Sequence, residues 1–385
     1  MCRQIRLGVI GAGNMGSAHV KCIQEGHCPE IVISAVADIK PERLENQNVT
    51  NKFDTASAML DSGLIDAALI ATPHYDHPSL AIDCFNKGIH VMMEKPAGVY
   101  TKQVREMNDA ASKSDIVFGI MYQNRTDHVY RKMKEIVDGG EMGRIRRVNW
   151  IITNWYRPQA YYDSGAWRAS WRGEGGGVLL NQCPHNLDLL QWICGMPVMV
   201  DAKMSFGKWH NIEVEDDVTA YMEFENGATG IFITSTGDTP GSNRFEITFD
   251  RGKLVSEGGI IKMWELEQSE QEFSAVNTIP FGSPDVTETV LATDGKFEQY
   301  VGVLNAFAGA ILRGEPLVAE GREGINGLMI SNSMHLSAWT GGPVTLPVDE
   351  DAFYNELMKR VETSRFKTNI REVVADLSGS YLKGE

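Results

Sequence analysis

The sequence predicts an α/β chain: an N-terminal doubly wound parallel sheet, then an α+β domain built on an open, mostly antiparallel sheet. Three observations carry this reading. A short apolar strand, Ile5 to Ile10, runs straight into Gly11-Ala12-Gly13-Asn14-Met15-Gly16, the G-x-G-x-x-G spacing of a strand-turn-helix that cradles a dinucleotide. Strands and helices then alternate as far as Tyr122, the pattern of parallel strands joined by crossover helices. Beyond Tyr122 the sequence turns strand-rich and helix-poor, as an antiparallel sheet covered on one face requires.

In the glycine loop, Gly11 permits the tight turn, Gly13 lets the backbone approach a pyrophosphate, and Gly16 lets the next helix pack closely on the sheet. Asn14 and Met15 open that helix, whose N-terminus carries phosphate charge. The second strand, Ile31 to Ala37, ends in Asp38, 22 residues after Gly16, where a Rossmann domain places the acid that accepts ribose hydroxyls. A carboxylate there repels the extra phosphate of NADP, so NAD is the expected cofactor. Lys40 either offsets that repulsion, which leaves NADP open, or is a solvated loop charge.

Strands over 66–72, 89–94 and 116–121 and helices over 77–87 and 101–114 complete a first domain, residues 1–123. A helix over 127–137 and strands over 146–155, 198–206, 217–224, 228–234, 245–249 and 260–266 build a second, 124–348. Helices over 295–313 and 321–340 are positioned to return and support the first domain. The stretch 349–385 is polar and weakly periodic, and reads as a C-terminal extension with a helix or two at a subunit contact.

Two domains are the default for 385 residues. A net charge of -15 argues against nucleic acid or an anionic membrane as partner. The start of the chain leaves no room for a signal peptide, no apolar run reaches membrane-spanning length, and the six cysteines form no C-x-x-C, all of which suit a cytoplasmic protein.

Glu94-Lys95-Pro96 falls at the carboxyl end of a strand, the edge where open α/β sheets bind ligands. Lys95 either points into the crevice, where its ammonium stabilises a substrate oxygen as hydride leaves, or pairs with a neighbouring carboxylate for stability. Pro96 is a candidate cis bond. Further on, Gly175-Gly176-Gly177 permits close backbone approach and Pro184 starts a helix, so Asn181 and His185 flank that start and can face one pocket. His185 reads as a general base or as a structural histidine, and Asp188 as an inward-facing supporting acid. His74 and His77 bracket a helix start without a third convergent ligand, so no metal site is expected.

Together with ATPHYDH at 71–77, YQNR at 122–125 and WR at 167–168, these motifs resemble the glucose-fructose oxidoreductase / inositol dehydrogenase / rhizopine-catabolism (Gfo/Idh/MocA) family over roughly 5–340. The resemblance implies a NAD(P)-dependent oxidoreductase acting on CH–OH groups, with Lys95 and His185 as its catalytic pair. It also implies that Thr72, Pro73, His77, Glu94 and Gln123 line the cofactor crevice. Many members carry aspartate four residues before the histidine. Asn181 keeps the hydrogen-bonding capacity and loses the charge, which implies a subgroup in which this residue orients substrate hydroxyls.

Trp155, Tyr156, Tyr161, Tyr162, Trp167 and Trp171 are interleaved with Arg157, Arg168 and Arg172. Such rings suit the faces and hydroxyl rims of sugars, and serve equally as core or interface anchors. Trp155, Arg157, Tyr162, Trp167 and Arg168 are therefore candidate contacts for a carbohydrate, glycoside or cyclitol, and the arginines leave open a phosphate or carboxylate on it. The reaction implied is reversible oxidation of a ring hydroxyl, at C3 of a hexose unit in several relatives. Two other classes stand beside it: a glycosidase using transient oxidation by bound NAD, and a nucleotide-sensing regulator, against which the presence of both Lys95 and His185 argues. The resemblance and an open sheet needing cover imply a homo-oligomer, dimer or tetramer.

Overall fold

A computed structural model describes residues 4–365 together with 367 and 370, so most of the stretch beyond 365 lies outside the described residues. The first sheet comprises β1 (Ile5–Ile10), β2 (Ile31–Ala37), β3 (Asn51–Phe53), β4 (Ala67–Ile70), β5 (His90–Met93) and β6 (Phe118–Ile120). All neighbours are parallel, in the order β3-β2-β1-β4-β5-β6. Strand order reverses between β1 and β4, which opens a crevice beyond their carboxyl ends.

The second sheet comprises β7 (Ile145–Ile152), β8 (Pro197–Phe206), β9 (Glu215–Phe224), β10 (Thr229–Ser235), β11 (Asn243–Phe249), β12 (Gly252–Glu257), β13 (Ile260–Leu266), β14 (Val286–Leu291) and β15 (Val344–Thr345). Its order is β14-β13-β12-β11-β7-β10-β9-β8-β15, and every pair is antiparallel except β7 with β10. Strand alternation decides its buried face: Val148, Trp150 and Ile152 point inward while Arg147 and Ile151 point out. Trp150 stacks on Phe245 of the paired strand, ring centroids 4.1 Å apart. This face is covered by helices His128–Gly139, Pro184–Cys194 and Gly324–Thr340, whose Met133, Leu187, Leu190, Ile330 and Met334 join its core.

Helix Gln299–Arg313 does return to the first sheet, setting Tyr300, Val303, Leu304 and Phe307 against Leu7, Val9, Leu69 and Met92. Helix Gly324–Thr340 lies on β8 and helix Pro184–Cys194 and also supports the first domain, where Leu328 and Leu336 join the core around Val99 and Val104 and Asn332 bonds the Thr101 N–H and the Val99 carbonyl. Three strands of the second sheet, β12, β14 and the two-residue β15, go beyond what sequence pattern indicates. Five of the six β14 residues are exposed, so the strand shows no apolar face. β7 ends at Ile152, three residues earlier than expected, because the chain turns away there to reach the aromatic loop. The polar C-terminal stretch forms helix Glu350–Thr363, which buries Phe353 and Leu357 and stacks Phe353 on Trp339. Among the described residues no helix is long and apolar enough to cross a membrane.

Candidate active site

The glycine loop closes β1 onto the start of helix Asn14–Gln24. Gly11 has φ +95, and a Cβ on it would lie 2.7 Å from the Ala71 carbonyl oxygen, so only glycine lets this turn meet the end of β4. A Cβ on Gly16 would lie 1.8 Å from Gly11 O, which makes the third glycine obligatory for helix packing. Above Gly13 the nearest atom to such a carbon is 3.8 Å away, leaving backbone open to a pyrophosphate. Asp38 Oδ2 accepts the Ala12 N–H at 2.7 Å and Oδ1 accepts the Lys40 N–H at 2.9 Å, so the ribose acid is fixed against the loop itself. Arg43 Nη1 stands 3.5 Å from Asp38 Oδ2, a cation beside the acid that sequence spacing does not reveal.

Three residues lock the walls of the crevice. Glu94 Oε1 meets His19 Nε2 at 2.7 Å with both side chains buried, tying β5 to the glycine-loop helix. His77 is also buried and lies 2.8 Å from two carbonyl oxygens, those of Thr72 and Pro96, which clamps the two loops together. Burial lowers its proton affinity. His74 reaches across to the Glu174 carbonyl through Nδ1 at 3.2 Å. The Thr72 hydroxyl is buried without a protein partner, a polar group that a bound dinucleotide at this edge would satisfy.

Lys95 follows β5, and the Lys95–Pro96 bond is cis. Its Nζ donates to the Asn181 carbonyl at 2.8 Å, which occupies one of three N–H donors. Burial pushes its proton affinity down; Glu94 and Glu174 oppose that, and Arg168 and Arg157 add to it. His185 lies in the first turn of helix Pro184–Cys194, 5% exposed, with Nε2 3.1 Å from Gln123 Nε2. Its Nδ1 and the Gln123 side-chain oxygen, Oε1, have no protein partner. Burial drives its proton affinity well below the ordinary range, and the Lys95 charge drives it further. The fold thus brings Lys95, Asn181, His185 and Gln123 to one place.

The aromatic loop divides. Tyr162 is buried with its hydroxyl donating to Thr236, and Trp171 packs among Phe206, His335 and Trp339, so both rings belong to the core. Trp155, Tyr161 and Trp167 are half-buried and gather round two guanidinium groups. Arg157 lies over Trp155 and Tyr161, and Arg168 over Tyr161 and Trp167, with Arg168 Nη1 donating to the Tyr161 hydroxyl at 2.8 Å. Trp167 contacts His74 edge-on at 5.4 Å, which brings this loop to the cofactor crevice. The end of the described chain binds the same loop: Glu213 accepts from the Ser364 hydroxyl and the Arg365 N–H, Arg172 N donates to Ser364, and Lys367 Nζ donates to the Tyr162 carbonyl.

Three supporting arrangements go beyond sequence reading, which expects Asp188 as an inward-facing supporting acid but not its partner. Arg125 and Asp188, 4% and 1% exposed, form a two-pronged ion pair that joins the residues after β6 to the helix carrying His185. Glu215 is fully buried and accepts the N–H groups of Gly177 and Leu179, anchoring the glycine run. Glu174 is 2% exposed and holds the Asn181 side-chain amide. Its place next to three glycines was the available signal, since close-packed backbone leaves a neighbouring side chain no route to solvent.

Comparison with known proteins agrees with this geometry. Residues 5–122 match the oxidoreductase family, NAD-binding Rossmann fold, and residues 130–255 match the GFO/IDH/MocA C-terminal domain. The chain is 30% identical to the rhizopine catabolism protein MocA of Rhizobium meliloti over 194 residues, 50% of this chain and 58% of that protein. It is 23% identical to myo-inositol 2-dehydrogenase of Thermotoga maritima over 340 residues, 85% of this chain and 94% of that protein. The WlbA dehydrogenase of Chromobacterium violaceum, solved with NADH and UDP-GlcNAcA, is similar with a TM-score of 0.76 and 28% identity, covering 90% of this chain and 97% of that one. With a nucleotide-binding crevice at the switch point of its first sheet and both halves matching one family, this chain belongs to the Gfo/Idh/MocA oxidoreductases and its first domain is an NAD-binding Rossmann fold.

Proposed function

We propose that the protein is a dehydrogenase that oxidises a ring hydroxyl of a sugar, glycoside or cyclitol, with NAD as the hydride acceptor. The observation that carries this reading is the convergence of an ammonium, Lys95, and a neutral imidazole, His185, at the carboxyl edge of the first sheet. Gly11, Gly13, Gly16 and Asp38 would hold the dinucleotide, and Thr72 would meet it from the facing loop. Bound nicotinamide supplies the electrophilic carbon that receives the hydride.

Lys95 has donors left for the substrate oxygen, where it stabilises negative charge as the C–H bond breaks. His185 takes the hydroxyl proton, so alcohol becomes ketone with one proton and one hydride lost. Once protonated, both ring nitrogens donate, and Gln123 satisfies Nε2 by turning its unpartnered side-chain oxygen, Oε1, to it. Trp155, Arg157, Trp167 and Arg168 flank the substrate, and rings with polar edges match the two faces of a sugar. The relatives point the same way, through inositol in the Thermotoga protein and an amino-sugar nucleotide in the WlbA complex. The exposed apolar residues Ile260, Val286 and Val290 of the β13–β14 hairpin, with Phe281 near them, support a homo-oligomer, dimer or tetramer, which light scattering decides.

The test is reduced-nicotinamide absorbance on mixing purified protein with NAD or NADP and a panel of sugars, inositols and glycosides. Turnover of one class, with the ketone position read from the product, supports the reading. Release of free sugar without reduced cofactor would instead establish a redox-neutral glycosidase, and no turnover in either direction would overturn the proposal.

A further inference from the structure

A buried carboxylate lies behind the site and belongs to no step of the mechanism above. Glu174 is 2% exposed, and among the described residues no lysine or arginine lies within ion-pair distance of it. Burial pushes its proton affinity up, and Arg168 is the largest influence holding it down. A charge so placed is retained only where neighbouring donors are built for it. Here they are. The Ala169 N–H donates to Oε2 at 2.5 Å, and the Asn181 side-chain amide donates to Oε1. To aim that N–H, Ala169 adopts φ +54, a left-handed conformation rare outside glycine, while fully buried. Gly175 follows with φ +84, where a Cβ would lie 2.3 Å from Val99 Cγ1, so the backbone can turn beside the carboxylate only without a side chain.

An ionised carboxylate accepts and never donates, which settles which way the Asn181 amide faces: Nδ2 meets Glu174 and Oδ1 is turned away. The carbonyl of the same residue accepts from Lys95 Nζ. One residue thus connects the buried charge to the ammonium. We propose that Glu174 is a positioning residue of this site: it supplies the negative charge that Asn181 lacks, and fixes the amide so that Oδ1 faces bound substrate. This rests on the reading above, in which substrate binds beside Lys95 and Asn181. It also gives the amide at 181 a purpose, because a second carboxylate against Glu174 would repel it.

The charged and titratable groups facing Glu174 are Lys95 after β5, Arg168, Tyr161 and Tyr162 of the aromatic loop, Glu215 of β9 and Lys367 near the end of the described chain. Removing the Glu174 charge therefore leaves Lys95 facing two arginines with less to offset them, and the lysine gives up its proton at lower pH.

Two measurements on the full chain test this, and the first needs no substrate. Acetylation of Lys95 by limiting reagent is followed across pH by peptide mass spectrometry in wild type, Glu174→Gln and Glu174→Asp. The glutamine variant is expected to shift the Lys95 curve to lower pH, and the aspartate variant, which keeps the charge, to leave it near wild type. In the second, with NAD and any panel sugar that wild type oxidises, both variants are expected to lower kcat about 10- to 100-fold, the scale of an ångström's misplacement, with KM for NAD unchanged. A folded Glu174→Gln whose Lys95 curve superimposes on wild type overturns the proposal. Should that variant not fold, unchanged kcat in Glu174→Asp overturns it, since the shorter side chain withdraws from Asn181. If wild type oxidises nothing, the dehydrogenase reading fails while the labelling curves still decide the role of Glu174.

Discussion

Lys95 helps to set the charge of His185. Burial lowers the proton affinity of both, and the lysine lowers the histidine further. A depressed histidine stays neutral, able to accept a proton, down to some pH below its ordinary 6.5. A depressed lysine loses its ammonium below the ordinary 10.5. Oxidation needs neutral His185 and charged Lys95 together, so kcat/KM is expected to be bell-shaped with its acid limb below pH 6.5 and its alkaline limb below pH 10.5. Lys95→Ala deletes a positive charge next to His185, and the acid limb should move up in pH. The same variant should lose about 10²- to 10³-fold in kcat, the usual cost of removing one donor that stabilises a developing negative oxygen. NAD affinity by titration calorimetry should barely change. An equal loss of both would make Lys95 part of the cofactor site.

At the scale of elements, the catalytic helix is held by its second turn. Asp188 takes both prongs of Arg125, and Arg125 also reaches Glu323 at 2.7 Å. Arg125→Met leaves Asp188 without its cation in an interior that cannot hydrate it, while Glu323, whose side chain is 36% exposed, still meets water, so a loss of about 3–5 kcal/mol is expected, read by denaturant unfolding. A matching Arg125→Met/Asp188→Leu pair should recover part of it, because an apolar pair of similar volume removes the stranded charge. This ion pair also marks how far the sequence could be read. Helix Pro184–Cys194 was visible from Pro184 and the apolar spacing behind it, and the glycine loop from its strand and spacing. The partners were not, because Arg125 and Asp188 are 63 residues apart and only the folded chain makes them neighbours. Glu215 was hidden by company: among Glu213, Asp216 and Asp217 it resembles a solvated charge run, yet it lies where β9 passes beneath the glycine run 175–177. Tyr162 and Tyr161 are adjacent and chemically alike, so composition alone gives no means of telling which ring turns inward.

On the scale of the whole molecule, the first domain is not self-sufficient. One face of its sheet is closed by Val303, Leu304 and Phe307, from a helix that follows all but the last strand of the second sheet in the chain. A fragment of residues 4–123 would expose that face to water. It is expected to bind a hydrophobic dye and to lack a cooperative thermal transition that the full chain shows. A sharp transition in the fragment would refute this. The two ends of the described chain differ in the same respect. The chain enters β1 at the amino edge of the first sheet, opposite the crevice, whereas Ser364, Arg365 and Lys367 lie against the aromatic loop. A handle joined directly after Lys367 would therefore meet the loop proposed to flank substrate, whereas one joined before β1 would lie on the side away from the crevice.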